Sequence, residues 1–311
     1  MDPALGNWPI TRVGEQGRWA SGRFSSPRDY AIMKGDHLSP PMHSALLPLA
    51  AAALYLVAAL WIGLAWFRRT PTGPRLQAAA LGLGGGALAL HGLLLYQTLP
   101  TATGLDLGVT HAASLLTALV VALTWLATLF RPVLNLGIVL MPLAALAIAL
   151  EALVPSHHLL REGAPPGLQA HVALSLLAYG LFTIAAIQAL MLALADHRLR
   201  HHRPAGIMHF LPPLDTIEVL LFQCLTVAFA LLTLGLGTGF LFVEDLLGQH
   251  LAHKTVLSSF AWGVFAVLLY GRYRFGWRGR RAVHLTLGGF ALLMLAYFGS
   301  KVVLELILHR V

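Results

Sequence analysis

The stretch Leu168–Leu192, "LQAHVALSLLAYGLFTIAAIQALML", decides the fold. It contains no charged side chain, and none follows until Asp196. Crossing a hydrocarbon core takes about 20 consecutive apolar residues in a helix. In lipid a helix satisfies its own backbone polar groups, which an isolated strand cannot. The stretch therefore reads as a membrane-spanning helix. It has one polar feature: His171 lies in its first turn, with Ser175 and Tyr179 at successive steps of four. Three polar side chains thus stack along one helical face.

Working outward, similar apolar runs recur along the chain. Eight spans are expected, over 46–67, 76–98, 107–130, 133–154, 168–195, 219–243, 255–271 and 282–308. This predicts an all-α, polytopic membrane helix bundle over residues 42–311. Composition agrees: the 311 residues are 57% hydrophobic and 11% charged, against about 25% charged in soluble domains. Residues 1–41 are polar, rich in Gly, Pro, Ser and Arg, and without periodicity. They read as a disordered tail, or as an extension ahead of a translation start at Met42.

The net charge of +8 does not point to nucleic acid, because the basic residues gather in short loops between spans. One set of loops holds Arg68, Arg69, Arg75, Arg131, Arg198, Arg200, Arg203, Arg272, Arg274, Arg278, Arg280 and Arg281. The opposite side holds Arg161, Lys254, Lys301 and Arg310. The arginine-rich side is expected to be cytoplasmic, which places both termini outside. The lone Cys224 excludes an internal disulfide and a C-x-x-C redox motif. Gly82/Gly86 and Gly235/Gly239 have the small-xxx-small spacing of close helix packing.

Topology sorts the fifteen histidines. His197, His201, His202, His209 and His284 fall toward the arginine-rich side. His91, His111, His171 and His309 fall on the outer parts of four different spans, and His157, His158, His250 and His253 in outer loops. Neutral imidazole ligates haem iron and transition metals. A zinc site usually recruits carboxylates or a local H-x-x-x-H, which no single helix supplies. Ser175 and Tyr179 are candidates to orient His171 or to hold a haem edge. With no G-x-S-x-G, P-loop or H-E-x-x-H motif, the pattern leans away from an enzyme with bond-making chemistry of its own.

The segment Leu168–Leu192 resembles the helix that opens with an outward-facing histidine in the cytochrome c assembly proteins, the CcsA/CcmC-type haem-handling family. The segments Ala89–Leu116 and Lys254–Lys301 resemble further helices of the same family, nearest its HemX/YpjD-like inner-membrane branch. The resemblance covers roughly Met42 to the C-terminus. It implies localisation in the bacterial inner membrane and haem binding near the outer face, with other cytochrome c maturation proteins as partners. His171 falls on the first outward histidine of that pattern and is the expected axial ligand, with no metal beyond its haem iron. His309 or His253 is the opposing candidate, with His91 and His111 nearby. Two departures stand out. The tryptophan-rich "WWD" loop is replaced by "GFLFVEDLLGQHLAHK", and a histidine expected at the inner end of the seventh span is replaced at Gly271. The resemblance then implies haem binding or an accessory role more than haem presentation to an apocytochrome. A small-molecule permease, for which Pro142 hints at a broken helix, and a non-catalytic regulatory partner of another membrane complex are the alternatives.

Overall fold

The computed structural model describes residues 42–68, 73–101, 104–154, 159–161, 165–200, 213–242 and 252–299. The N-terminal segment 1–41 and the histidines His157, His158, His201, His202, His209, His250 and His309 lie outside the described residues. So does Lys301. The described residues from Leu46 onward form one compact unit.

Eight long helices account for it. They are α1 (Met42–Phe67), α2 (Pro74–Thr98), α3 (Val109–Thr128), α4 (Gly137–Leu153), α5 (Pro166–Arg200), α6 (Leu214–Phe242), α7 (Ala252–Phe275) and α8 (Arg280–Met294). The last continues as a π-helical turn over Leu295–Gly299. With the 3-10 turn Leu134–Leu136 joined to α4 and the π-helical turn joined to α8, all eight are long and apolar enough to cross a membrane. Their many exposed large apolar side chains, among them Leu49, Leu146, Phe240 and Phe260, suit a lipid-facing surface. Threonines inside the spans bond back to carbonyls one turn earlier, as Thr124 to Val120 and Thr183 to Tyr179, both at 2.8 Å. That removes the cost of a bare hydroxyl in lipid.

Several helices outrun the apolar spans read from sequence, α5 most of all, whereas α3 and α4 fall short of theirs. The helix α5 has 35 residues, about 52 Å of helix, well beyond a core about 30 Å thick. An apolar window stops at Asp196, but the backbone does not. Pro166 suits a first helical position, and His197, Arg198 and Arg200 in the last turn complement the helix dipole. Arg200 also holds Asp196 at 3.0 Å, one turn back. The helix α4 runs unbroken through Pro142, so that proline marks no mid-membrane break.

Short segments at the arginine-poor end pair as a small antiparallel ladder, unanticipated from the sequence: β1 (Pro100–Thr101), β2 (Gly104–Asp106) and β3 (Leu159–Arg161), in that order. It ties the α2–α3 connection to the α4–α5 connection.

The arginine-rich end is locked by charge. Glu218 on α6 is buried and accepts from Arg272 at 2.6 Å and Arg278 at 2.8 Å. The Arg272 guanidinium also donates to the Trp277 carbonyl and lies 4.4 Å from the Phe222 ring centroid. The hydrogen bond to Glu218 raises the Arg278 pKa above its ordinary value. Gly271, where the family resemblance leads one to expect histidine, is what lets the turn close. A Cβ there would run into the Trp277 ring.

Two apolar clusters form the interior. One is centred on α1–α4 and the other on α5–α8, and α5 and α6 share the most extensive helix contact. The first glycine cluster departs from its expected spacing at one position. A Cβ at Gly82 would meet open space, whereas one at Gly84 would meet Met141 and one at Gly85 the Trp125 ring. Close packing thus falls on Gly84, Gly85 and Gly86, the last with Leu54 of α1 3.3 Å from the place of a Cβ, and the Trp125 indole also donates to the Leu81 carbonyl at 2.9 Å.

Candidate functional site

The arginine-poor end of the bundle holds a cavity of about 300 Å³, the lower end of the range for small-molecule pockets. Its apolar walls come from α3 (Ala112, Leu116), α5 (Val172, Leu176) and α6 (Leu232, Leu236). Polar side chains enter from three sides. His171, Ser175 and Tyr179 come from α5, Lys254 and Ser258 from α7, and Tyr297 from the π-helical turn. The stripe read from sequence at steps of four therefore faces one cavity.

His171 lies in the second turn of α5, since the helix begins at Pro166. Its Nδ1 is 2.7 Å from the carbonyl oxygen of Gly235 on α6. A carbonyl can only accept, so Nδ1 carries the proton and donates. In the neutral ring the lone pair then resides on Nε2. Gly239, one turn further along α6, makes room for the ring. A Cβ there would stand 3.0 Å from Cε1 and 3.2 Å from Nδ1 of His171. The Gly235/Gly239 pair is thus an imidazole cradle as well as a packing device. A Cβ at Gly235 would reach Ser175 Oγ only at 3.5 Å, an ordinary contact.

Ser175 and Tyr179 line the cavity, but His171 takes its orientation from α6. The Tyr179 hydroxyl donates instead to the Leu293 carbonyl at 2.9 Å, just before the α-to-π transition of α8. Its ring lies 5.8 Å from that of Tyr297. A π-helical insertion shifts carbonyls out of α register and is frequent at functional sites. Here it turns Ala296, Tyr297 and Phe298 into one cavity wall.

The structure does not bring His91 and His111 to this cavity. His91 is fully buried, with Tyr55 Oη 3.3 Å from Nδ1 and Ser114 Oγ 2.9 Å from Nε2. Both ring nitrogens are engaged, so ligation would require breaking a hydrogen bond. His111, in the first turn of α3, sits between two carboxylates. Asp106 Oδ2 is 3.9 Å from Nδ1, and Glu151 Oε1 is 3.6 Å from Nε2. Thr98 donates to that same Glu151 oxygen at 3.0 Å. His111 therefore belongs to a polar cluster around the strand ladder. His253 is in the first turn of α7, next to Lys254, and its side chain lies outside the described residues, as does His309. Among the described residues, no three His, Cys, Asp or Glu side chains form a group able to hold a metal ion.

Sequence reasoning missed Gly235, Gly239 and Lys254 as parts of the site. A backbone carbonyl has no sequence signature. The glycine spacing was visible, but what it accommodates was not.

The arrangement supplies one imidazole nitrogen, held in a fixed tautomer and direction, beside an apolar space with a polar edge. A metal-bound histidine commonly donates its other ring N–H to a backbone carbonyl, which fixes the tautomer and raises ligand basicity. The donor set and the glycine cradle thus fit a single axial histidine to a flat metallated macrocycle.

The chain is similar to a known family and to several bacterial membrane proteins. The profile of the family described as cytochrome C assembly protein matches residues 84–308. The inner membrane protein YpjD of Escherichia coli strain K12 is 40% identical over 177 residues, covering 56% of this chain and 67% of YpjD. Protein HemX of Brevibacillus brevis is 27% identical over 131 residues, 42% of this chain and 48% of HemX. The cytochrome c biogenesis protein CcsA of a Picosynechococcus species is 28% identical over 101 residues, 32% of this chain and 30% of CcsA. No solved structure matches the chain.

Proposed function

The chain belongs to the cytochrome c assembly protein family, and from that membership we propose that it binds haem in the cavity at the arginine-poor end, with His171 Nε2 as an axial ligand. It is a multi-pass protein of the bacterial inner membrane. The observation that carries the proposal is the 2.7 Å hydrogen bond from His171 Nδ1–H to the Gly235 carbonyl, which leaves Nε2 as the lone-pair nitrogen of a ring lining the cavity.

The chain's residues have separable tasks. Gly239 gives the imidazole its place and Gly235 fixes its proton on Nδ1. The walls from α3, α5 and α6 exclude water and pack the apolar faces of the ligand. Bound haem supplies the redox-active iron, while the protein supplies ligation, orientation and electrostatics. The arginine distribution supports an outward-facing cavity. The absence of tryptophan from residues 239–254 favours an accessory or haem-binding role within cytochrome c maturation over presentation of haem to an apocytochrome.

The test uses the full chain purified in detergent and titrated with haem. A Soret band with the position of a histidine-ligated haem is expected, and His171→Ala should abolish it. A band unchanged in that variant rejects His171 as the ligand.

A further inference from the structure

We infer that the lipid-facing side of α7 and α8 holds one anionic phospholipid, with an acyl chain in an apolar groove and its phosphate between Arg274 and Arg281. The site lies toward the arginine-rich end of the bundle and does not depend on the haem reading.

Five arginines lie between residues 272 and 281. Three of them face carboxylates: Arg272 and Arg278 pair with Glu218, and Arg280 lies 3.4 Å from Asp196. The other two, Arg274 and Arg281, are exposed, and among the described residues no carboxylate pairs with either. Each lies instead against an aromatic ring. The Arg274 Cζ is 6.0 Å from the Phe275 centroid, and the Arg281 Cζ is 5.9 Å from that of Trp277. The two rings stack with their centroids 6.3 Å apart. Two guanidiniums thus flank one aromatic pair at the end of the span. Guanidinium binds phosphate through parallel N–H···O bonds, and aromatic rings suit the headgroup level of a bilayer.

An apolar groove of about 510 Å³ leads to them, lined by Phe260, Gly263, Val264 and Val267 of α7 and Leu285 of α8. Gly263, Val267, Tyr270 and Arg274 follow one another at steps of four, three and four, so they share one helical face. On α8, Arg281 precedes Leu285 by four and shares its face in the same way. A Cβ at Gly263 would meet nothing within 4 Å, so the floor of the groove is open. Phe260 and Arg274 are about 21 Å apart along the helix. Half a hydrocarbon core plus one headgroup layer is also about 21 Å. The charge at the groove's end selects the occupant. A partner helix with an apolar face would fill the groove and leave both guanidiniums bare. An inorganic anion would leave the groove empty, and a zwitterionic lipid carries its own ammonium beside the phosphate. A phospholipid with a net negative headgroup satisfies both parts.

The experiment titrates the full chain in detergent with phosphatidylglycerol, phosphatidylcholine or inorganic phosphate and counts bound molecules by native mass spectrometry. Wild type is expected to bind its first phosphatidylglycerol about ten-fold more tightly than phosphatidylcholine, the scale of basic side chains beside anionic headgroups. Arg274→Gln combined with Arg281→Gln should bring that ratio close to one. Arg75→Gln combined with Arg131→Gln, which removes two exposed arginines at the same end, should leave the ratio as in wild type. Gly263→Leu fills the groove from a position with free space around it. It should weaken both lipids about ten-fold, the scale of two buried methylenes. Because each ratio is taken within one variant, a general loss of folding cancels. Equal affinity for the two lipids in wild type, or a ratio unaltered in the Arg274/Arg281 variant, overturns the inference. So does an equal loss in the Arg75/Arg131 variant, which would mean general surface charge, or unchanged binding in Gly263→Leu. Displacement of phosphatidylglycerol by equimolar inorganic phosphate overturns it as well, since that marks an anion site with no use for the groove.

Discussion

His91 and His171 both sit on membrane-spanning helices, and their surroundings use the imidazole in opposite ways. Around His91, α1 and α3 each bring a hydroxyl to one ring nitrogen, and the ring of Tyr55 stands edge-on at 5.7 Å. Every polar atom of that side chain is engaged, and it does not line the cavity that holds His171. Around His171 one nitrogen is engaged among the described residues, by a backbone carbonyl, and the ring borders an open volume of about 300 Å³. A histidine with both nitrogens bonded cross-links helices. One with a single nitrogen bonded, at a cavity wall, is a directed lone pair. Burial alone does not separate the two roles, since an unsatisfied polar group in lipid is costly at either site.

The sharpest way to break this contrast is to remove each imidazole in turn and read haem and stability separately. His171→Ala is expected to lower haem affinity by a hundred-fold or more, about 3 kcal/mol, with a small change in melting temperature without haem. His91→Ala is expected to do the reverse. It leaves a cavity and strands Tyr55 and Ser114, for a cost of about 2–3 kcal/mol. Differential scanning fluorimetry in detergent should register that cost, while the Soret band per folded molecule stays at the wild-type value. Loss of the band in His91→Ala at normal stability would exchange the roles assigned here.

A smaller effect tests the glycine cradle. Gly239→Ala puts a methyl group 3.0–3.2 Å from the His171 ring, so the ring must tilt away from the Gly235 carbonyl. Partners that orient a ligating histidine are worth about 10–100-fold in metal affinity, and a loss of about ten-fold in haem affinity is expected. Gly235→Ala meets its nearest neighbour at 3.5 Å and should bind haem within about two-fold of wild type, because an ordinary contact demands no repacking. If the two glycines mattered only for helix packing, the two variants would behave alike in stability and neither would act selectively on haem.

These residues also mark how far the sequence could be read. The eight spans were legible because lipid forces long apolar runs, and those runs need no knowledge of their neighbours. The stacking of His171, Ser175 and Tyr179 was legible because it depends on helix period alone. The distinction between His91 and His171 was not, because it depends on partners far away in the chain. Tyr55 is 36 residues from His91, and the Gly235 carbonyl is 64 from His171. Sequence likewise grouped His111 with the ligands, although Asp106 and Glu151 reach it only once β2 and the end of α4 come together. The π-helical turn that carries Tyr297 to the cavity has no signal in the apolar pattern. Its carbonyl register, not its composition, makes it different.

The smallest expected effect is also the finest probe of the contrast. Ser114→Ala removes the partner of His91 Nε2, a bond of 2.9 Å between fully buried groups on α2 and α3. In water-soluble cores a stranded polar atom costs about 1–3 kcal/mol. Inter-helix hydrogen bonds in membranes average only about 0.6 kcal/mol, because the separated helices find other partners in the bilayer. Ser114→Ala should therefore lower stability by about 0.5–1 kcal/mol and leave the haem spectrum untouched. The double variant with Tyr55→Phe extends the test, since it frees both nitrogens of His91 while keeping the ring. If its place away from the cavity is what keeps His91 in a structural role, the double variant still shows only the His171-dependent Soret band. A second haem spectrum in that variant would mean that hydrogen bonding alone, and not the cavity, separates the two histidines.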